Sequence, residues 1–121
     1  MNVSVMEEKI WGWVTHIFHS HFTAVSYLKL IKGYRCSQHC HIHRVNQFNL
    51  LSGKVLIEEW HGFRIRETIM NPGDSIEVMP NVFHRFTVLE NGEMIEVYYT
   101  NDGTAVDVND IERKDTGGLV E

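Results

Sequence analysis

Along most of the chain apolar and polar residues alternate with a period of two rather than 3.6, and turn residues interrupt them at the spacing of an antiparallel all-β domain. Ala24 to Ile31 reads as a strand ending at Lys32-Gly33. Gln47 to Leu51 reads as another, turning at Ser52-Gly53 into Lys54 to Trp60. His61-Gly62 then forms a hairpin tip, and Phe63 to Ile69 returns. Asn71-Pro72-Gly73-Asp74 is a turn, because proline presets one torsion and glycine accepts the positive one that follows. Ser75 to Met79 is a short strand stopped by Pro80. His84 to Leu89 and Glu93 to Thr100 flank Asn91-Gly92, a pair suited to a tight hairpin. The polar stretch after Asn101-Asp102-Gly103, with Thr116-Gly117-Gly118, predicts a loose tail over 116–121.

About eight short strands with polar groups on inward faces imply a small β-barrel or jelly roll, because closure removes unpaired sheet edges. Residues 1–14, with Trp11 and Trp13, are then expected to cover an edge or to contact a second copy in a homodimer. At 121 residues and 43% hydrophobic, the chain has apolar material for one core and reads as a single domain over 1–121. No run approaches the roughly 18 apolar residues of a membrane span. The first eight residues lack the cationic end and apolar stretch of a secretory signal, so a cytoplasmic location is expected. Cys36 and Cys40, on an extended segment, stand roughly 13 Å apart, too far for a disulfide. Reduced thiols fit the same compartment. The net charge of −5 argues against a nucleic-acid partner. Eight of the eleven Lys and Arg residues nevertheless fall between Lys29 and Arg85, and a local basic patch there suits a small anion.

The chemistry concentrates in four histidines. In His39-Cys40-His41-Ile42-His43 alternate side chains share a face, so several imidazoles point one way. His84 follows shortly after the Pro-Gly-Asp turn, and two non-adjacent strands can close a metal site of imidazole nitrogens. Asn46 or Gln47 offers a weak fourth ligand, and His43 is a spare. His16, His19, His21 and His61 lack such a context and read as surface.

These spacings resemble the two motifs of the cupin superfamily. Gly33 is followed after five residues by His39, after one by His41, after four by Asn46 and after six by Gly53; Gly73-Asp74, Pro80 and His84 supply the second motif. The Pro-to-His interval is one residue short, and Val82 replaces the usual glycine. A narrower resemblance runs almost end to end. Lys9-Ile10-Trp11-Gly12-Trp13, the segment Gly33 to Arg44, Val78 to Phe86, Ile95-Glu96-Val97 and Asp110-Ile111-Glu112-Arg113 resemble the cupin domain of type II mannose-6-phosphate isomerases, here without a transferase. That resemblance implies a cupin double-stranded β-helix, a jelly-roll barrel, with one divalent ion (Zn, Mn, Fe, Co or Ni). It also implies a sugar or sugar-phosphate ligand and aldose–ketose isomerisation. The isomerases tend to have glutamine at the position of His39, glutamate at Asn46 and histidine at Gln47, and they retain His41 and His84.

With the metal on His39, His41, Asn46 and His84, the lost glutamate leaves the ion's double charge uncompensated by protein, more Lewis-acidic and less tightly held. It also removes a proton carrier, for which Glu96 is the first candidate, followed by Glu58 and Glu67. Arg44 and Arg85, each beside a ligand-region histidine, suit bidentate contact with a phosphate, and Arg85 is also assigned to the substrate side of the chemistry. Arg64 and Arg66 share one strand face. Tyr98 and Tyr99 take opposite faces, so at most one looks inward. Two other functions fit a carboxylate-free set: a three-histidine iron dioxygenase, and a non-catalytic sugar or sugar-phosphate binder.

Overall fold

The computed structural model describes residues 6–120. Eleven strands and no helix build it: β1 (Met6–Lys9), β2 (Gly12–His19), β3 (Thr23–Leu30), β4 (Tyr34–Arg35), β5 (His39–Cys40), β6 (Arg44–His61), β7 (Arg64–Met70), β8 (Ser75–Val78), β9 (Phe83–Thr100), β10 (Glu112–Arg113) and β11 (Gly118–Leu119). All pair antiparallel in one sheet curled on itself. Two 18-residue strands, β6 and β9, run through both of its halves. In one half the order is β1-β2-β3, then the end of β9, the start of β6 and β8. In the other, β7 flanks the end of β6, and the start of β9 is flanked by β4 and β5, with β11 and β10 outside them.

The predicted hairpin at Asn91-Gly92 does not exist, because β9 passes straight through both residues. A type I′ turn needs positive φ at both central positions, and neither residue has it. Gly92 is required for close approach instead: a Cβ there would lie 2.0 Å from the Ser52 carbonyl oxygen. Ser52-Gly53 is likewise no turn but an irregularity inside β6, where the register against β9 slips between Leu50 and Val55. The slip changes which residues of β6 face inward. Asn46, Phe48 and Leu50 are buried before it, and Val55, Ile57 and Glu59 after it.

The core follows this alternation. Leu28, Leu30, Phe48, Leu50, Val55, Ile57, Phe86, Val88 and Met94 pack together between the halves, each aliphatic or aromatic side chain worth roughly 1.5–3 kcal/mol when fully buried. Trp11, in the turn between β1 and β2, joins them, its ring 5.0 Å from that of Phe86 in edge contact. It therefore serves this chain's own core. β1 is itself the outermost strand on that side, while 1–5 of the N-terminal segment lies outside the described residues.

The C-terminal stretch, expected to be loose, is strapped across the barrel. β10 pairs with β5, β11 pairs with β4, and Val120 N donates to Gly33 O. Gly117 permits this because a Cβ there would lie 2.6 Å from the Arg35 carbonyl oxygen. Among the described residues no helix is long and apolar enough to cross a membrane.

Candidate metal centre

His39 on β5 faces His84 directly on β9, while His41 follows one residue beyond β5. All three are buried, and their ligand nitrogens lie within 4.8 Å of one another. Each ring is fixed from behind by a backbone carbonyl: Nδ1 of His39 donates to Ser37 O at 2.7 Å, that of His41 to Asp110 O at 2.7 Å, and that of His84 to Val82 O at 2.9 Å. A carbonyl only accepts, so every Nδ1 carries the proton and every Nε2 presents a lone pair. Three lone pairs thus converge, and among the described residues His41 Nε2 has no partner. The three histidines could hold a metal ion, and a borderline cation that accepts imidazole nitrogen fits them.

The surroundings keep these rings neutral. Burial, then the neighbouring His84 and the Arg113 and Arg44 guanidiniums, bring His39 down to about 3 despite the Ser37 carbonyl. Burial and Arg44 bring His41 down to about 2, and burial brings His84 down to about 4.

Asn46, fully buried, presents its amide nitrogen to the cluster, 3.4 Å from His84 Nε2 and 3.3 Å from Glu96 Oε2. Among the described residues its Oδ1 has no partner. Asn46 thus stands where a fourth ligand was expected but here bridges His84 to Glu96. Glu96 is buried on the same inward face, and burial raises its pKa against the opposing pull of Tyr98, Asn46 and Arg44. Tyr98 is the inward tyrosine; its ring stands 5.4 Å from that of His41, and the Arg44 guanidinium lies 3.9 Å from its centroid. Of these groups Arg44, Glu96 and Tyr98, together with His39, border a cavity of about 430 Å³, with Trp11 and Val14 as apolar wall.

Arg85 is directed elsewhere. As the immediate neighbour of inward His84 on a strand it must face out, and there it donates to Glu58 Oε1 from Nε at 3.1 Å and Nη2 at 2.9 Å. That pairing also accounts for Glu58, while Glu67 is exposed on β7. Gln47 faces away from Asn46 and accepts from Asn49 Nδ2. His43 leaves the inward face because the chain bends at Ile42-His43, where the Asp110 carboxylate accepts both backbone N–H groups; its own ring bonds Asp102. Arg64 and Arg66 are exposed, the latter 3.9 Å from buried Glu59.

Two cavity residues lacked a signal in the sequence. His16 is exposed, as read, but also lines the cavity mouth and bonds Ser26 at 3.0 Å. Arg113 lines it because β10 pairs with β5, a contact between residues 74 positions apart that periodicity does not reveal.

No protein-family model matches the chain, and no curated protein matches it in sequence. Solved structures do. Oxalate decarboxylase from Bacillus subtilis superposes with a TM-score of 0.79 at 14% identity, over 92% of this chain and 30% of that one. The Lactobacillus farciminis oxalate decarboxylase formate complex gives 0.77 at 18% identity, over 92% of this chain and 34% of that one. This chain has the cupin fold. It spans about a third of the length of those structures, and at such identity the likeness concerns the fold. A cupin barrel places inward residues of both halves around one interior, which is where the three histidines, Asn46 and Glu96 meet.

Proposed function

We propose that this cupin is a metal-dependent isomerase interconverting aldose and ketose sugar phosphates, with mannose 6-phosphate as the first substrate to test. The observation that carries the reading is Glu96, a buried carboxylate bonded through Asn46 to the imidazole cluster and opening on the same cavity. Aldose–ketose isomerisation moves a proton between adjacent carbons. Glu96 would accept it from the carbon beside the carbonyl and return it to the former carbonyl carbon, and a carboxyl whose pKa burial raises toward neutrality suits both transfers. A metal held by His39, His41 and His84 would polarise the substrate oxygens as a Lewis acid. Arg44 supplies positive charge within the cavity, and Asn46 orients Glu96. A small-molecule ligand, a cytoplasmic setting and a homodimer complete the proposal.

The test is conversion of mannose 6-phosphate to fructose 6-phosphate by metal-loaded protein. Activity that disappears in Glu96→Gln with metal retained, and in His41→Ala with metal lost, supports the assignment; no conversion by the loaded wild type refutes it. The ligand cluster itself, three imidazoles and no carboxylate, favours a second reading as an iron dioxygenase. Oxygen uptake dependent on Fe(II) would select that reading. Ligand-induced thermal stabilisation with neither product would select a non-catalytic binder.

A further inference from the structure

Five polar side chains stand in register across one half of the barrel: Arg113 opposite His39, His39 opposite His84, His84 opposite Glu59, and Glu59 opposite Arg66. Directly opposed residues of antiparallel strands share a face, so Arg113 projects from the face that carries His39, and it lines the cavity. A second guanidinium, Arg44, enters the same cavity. It is 5% exposed, gives Nη1 to Asp107 O at 2.8 Å, and leaves Nε buried without an acceptor. Glu8 and Glu96 also border the cavity, yet among the described residues neither guanidinium has a carboxylate oxygen within 4.0 Å. Arg44 has the Tyr98 ring face and the Asp107 carbonyl beside it but no counter-charge, and a guanidinium fork matches the oxygens of a phosphate or carboxylate.

We infer that Arg113 and Arg44 form an anion-recognition site beside the imidazole cluster, which takes the charged group of a small organic phosphate or carboxylate. The inference rests on reading this cavity as the substrate site. Arg44 is the buried, preoriented contact. Arg113, exposed on the C-terminal strap, is the contact that closes over the anion from the mouth.

Isothermal titration of zinc-loaded protein with inorganic phosphate, mannose 6-phosphate and malonate tests it, using wild type, Arg113→Gln, Arg113→Lys and the outward Arg85→Gln. Loss of one charge-assisted contact is expected to weaken the anions that bind by about tenfold or more in Arg113→Gln. Arg113→Lys should recover part of the loss, and Arg85→Gln should match wild type. Preference for phosphate compounds or for malonate identifies the source of the charge. Arg113→Gln titrating like wild type, or no anion binding to wild type, overturns the inference. Zinc content measured on each sample separates the two ideas: protein that takes up no zinc but loses phosphate binding in Arg113→Gln retires the metal centre and keeps the anion site.

Discussion

Stripping the metal with a chelator and lowering the pH from 7 to 5 should bring the protein to the edge of unfolding. A histidine in the unfolded chain titrates near 6.5, whereas the folded values are about 3, 2 and 4 for His39, His41 and His84. Folded pKa values below the unfolded one mean that the unfolded chain binds protons first. Stability is therefore full above about 6.5 and falls as the pH drops from there through the folded values of about 4, 3 and 2. At pH 5 each imidazole costs about 2 kcal/mol, and the three together about 6 kcal/mol. Glu96 works the other way: its raised pKa lets the folded carboxyl take a proton before the unfolded one does, which offsets part of the loss. Against a total of about 5–15 kcal/mol for a small domain, the remainder is decisive. Urea denaturation with chelator at pH 7, 6 and 5 should show a steeply falling midpoint, and His41→Leu, which removes one buried imidazole, should flatten the fall by about a third. A midpoint equal at pH 7 and pH 5 would show that these rings are not held neutral by burial.

Other substitutions probe separate parts of the argument. Asn46→Glu places a carboxylate beside the cluster and should tighten zinc binding by roughly tenfold or more in a chelator competition, while destabilising the metal-free protein through repulsion with Glu96. Asp110→Ala removes the carboxylate that pins Ile42 and His43 and frees the carbonyl that orients His41, so zinc affinity should fall about 10–100-fold with the barrel still folded by circular dichroism. Gly92→Ala forces a methyl against the Ser52 backbone and should cost at least about 3 kcal/mol in denaturant melts, or prevent folding.

Strand identity and the histidine pair were legible because both obey local rules. A period of two marks β3, β7 and β8 within a residue or two, and two motifs in order place His39 and His84 on facing strands, with His41 one residue beyond β5. The errors came from features that only the partner strand decides. Asn91-Gly92 has ideal hairpin composition, but Gly92 answers to Ser52 across the barrel. Arg85 was assigned to the site for its proximity in sequence to His84, although adjacency on a strand guarantees the opposite face. Arg44, which shares phase with Asn46 in β6, and Glu96 both line the cavity, a placement that their chemistry and not a face assignment had suggested. Arg113 and the tethering of the C-terminal strap depend on contacts across most of the chain's length, which periodicity does not encode.

The carbonyl that orients His41 belongs to Asp110, 69 residues further along the chain. The carbonyl that receives Arg44 belongs to Asp107, 63 residues on. Contacts of such separation should form slowly, after the shorter pairings of β6 with β7 and with β8, which lie inside the same loop, have reduced the entropy of closing it. A chain still missing its final segment would hold a barrel whose third imidazole can turn either nitrogen inward. The ion thus meets a finished site, so its presence should slow unfolding and leave the refolding rate unchanged.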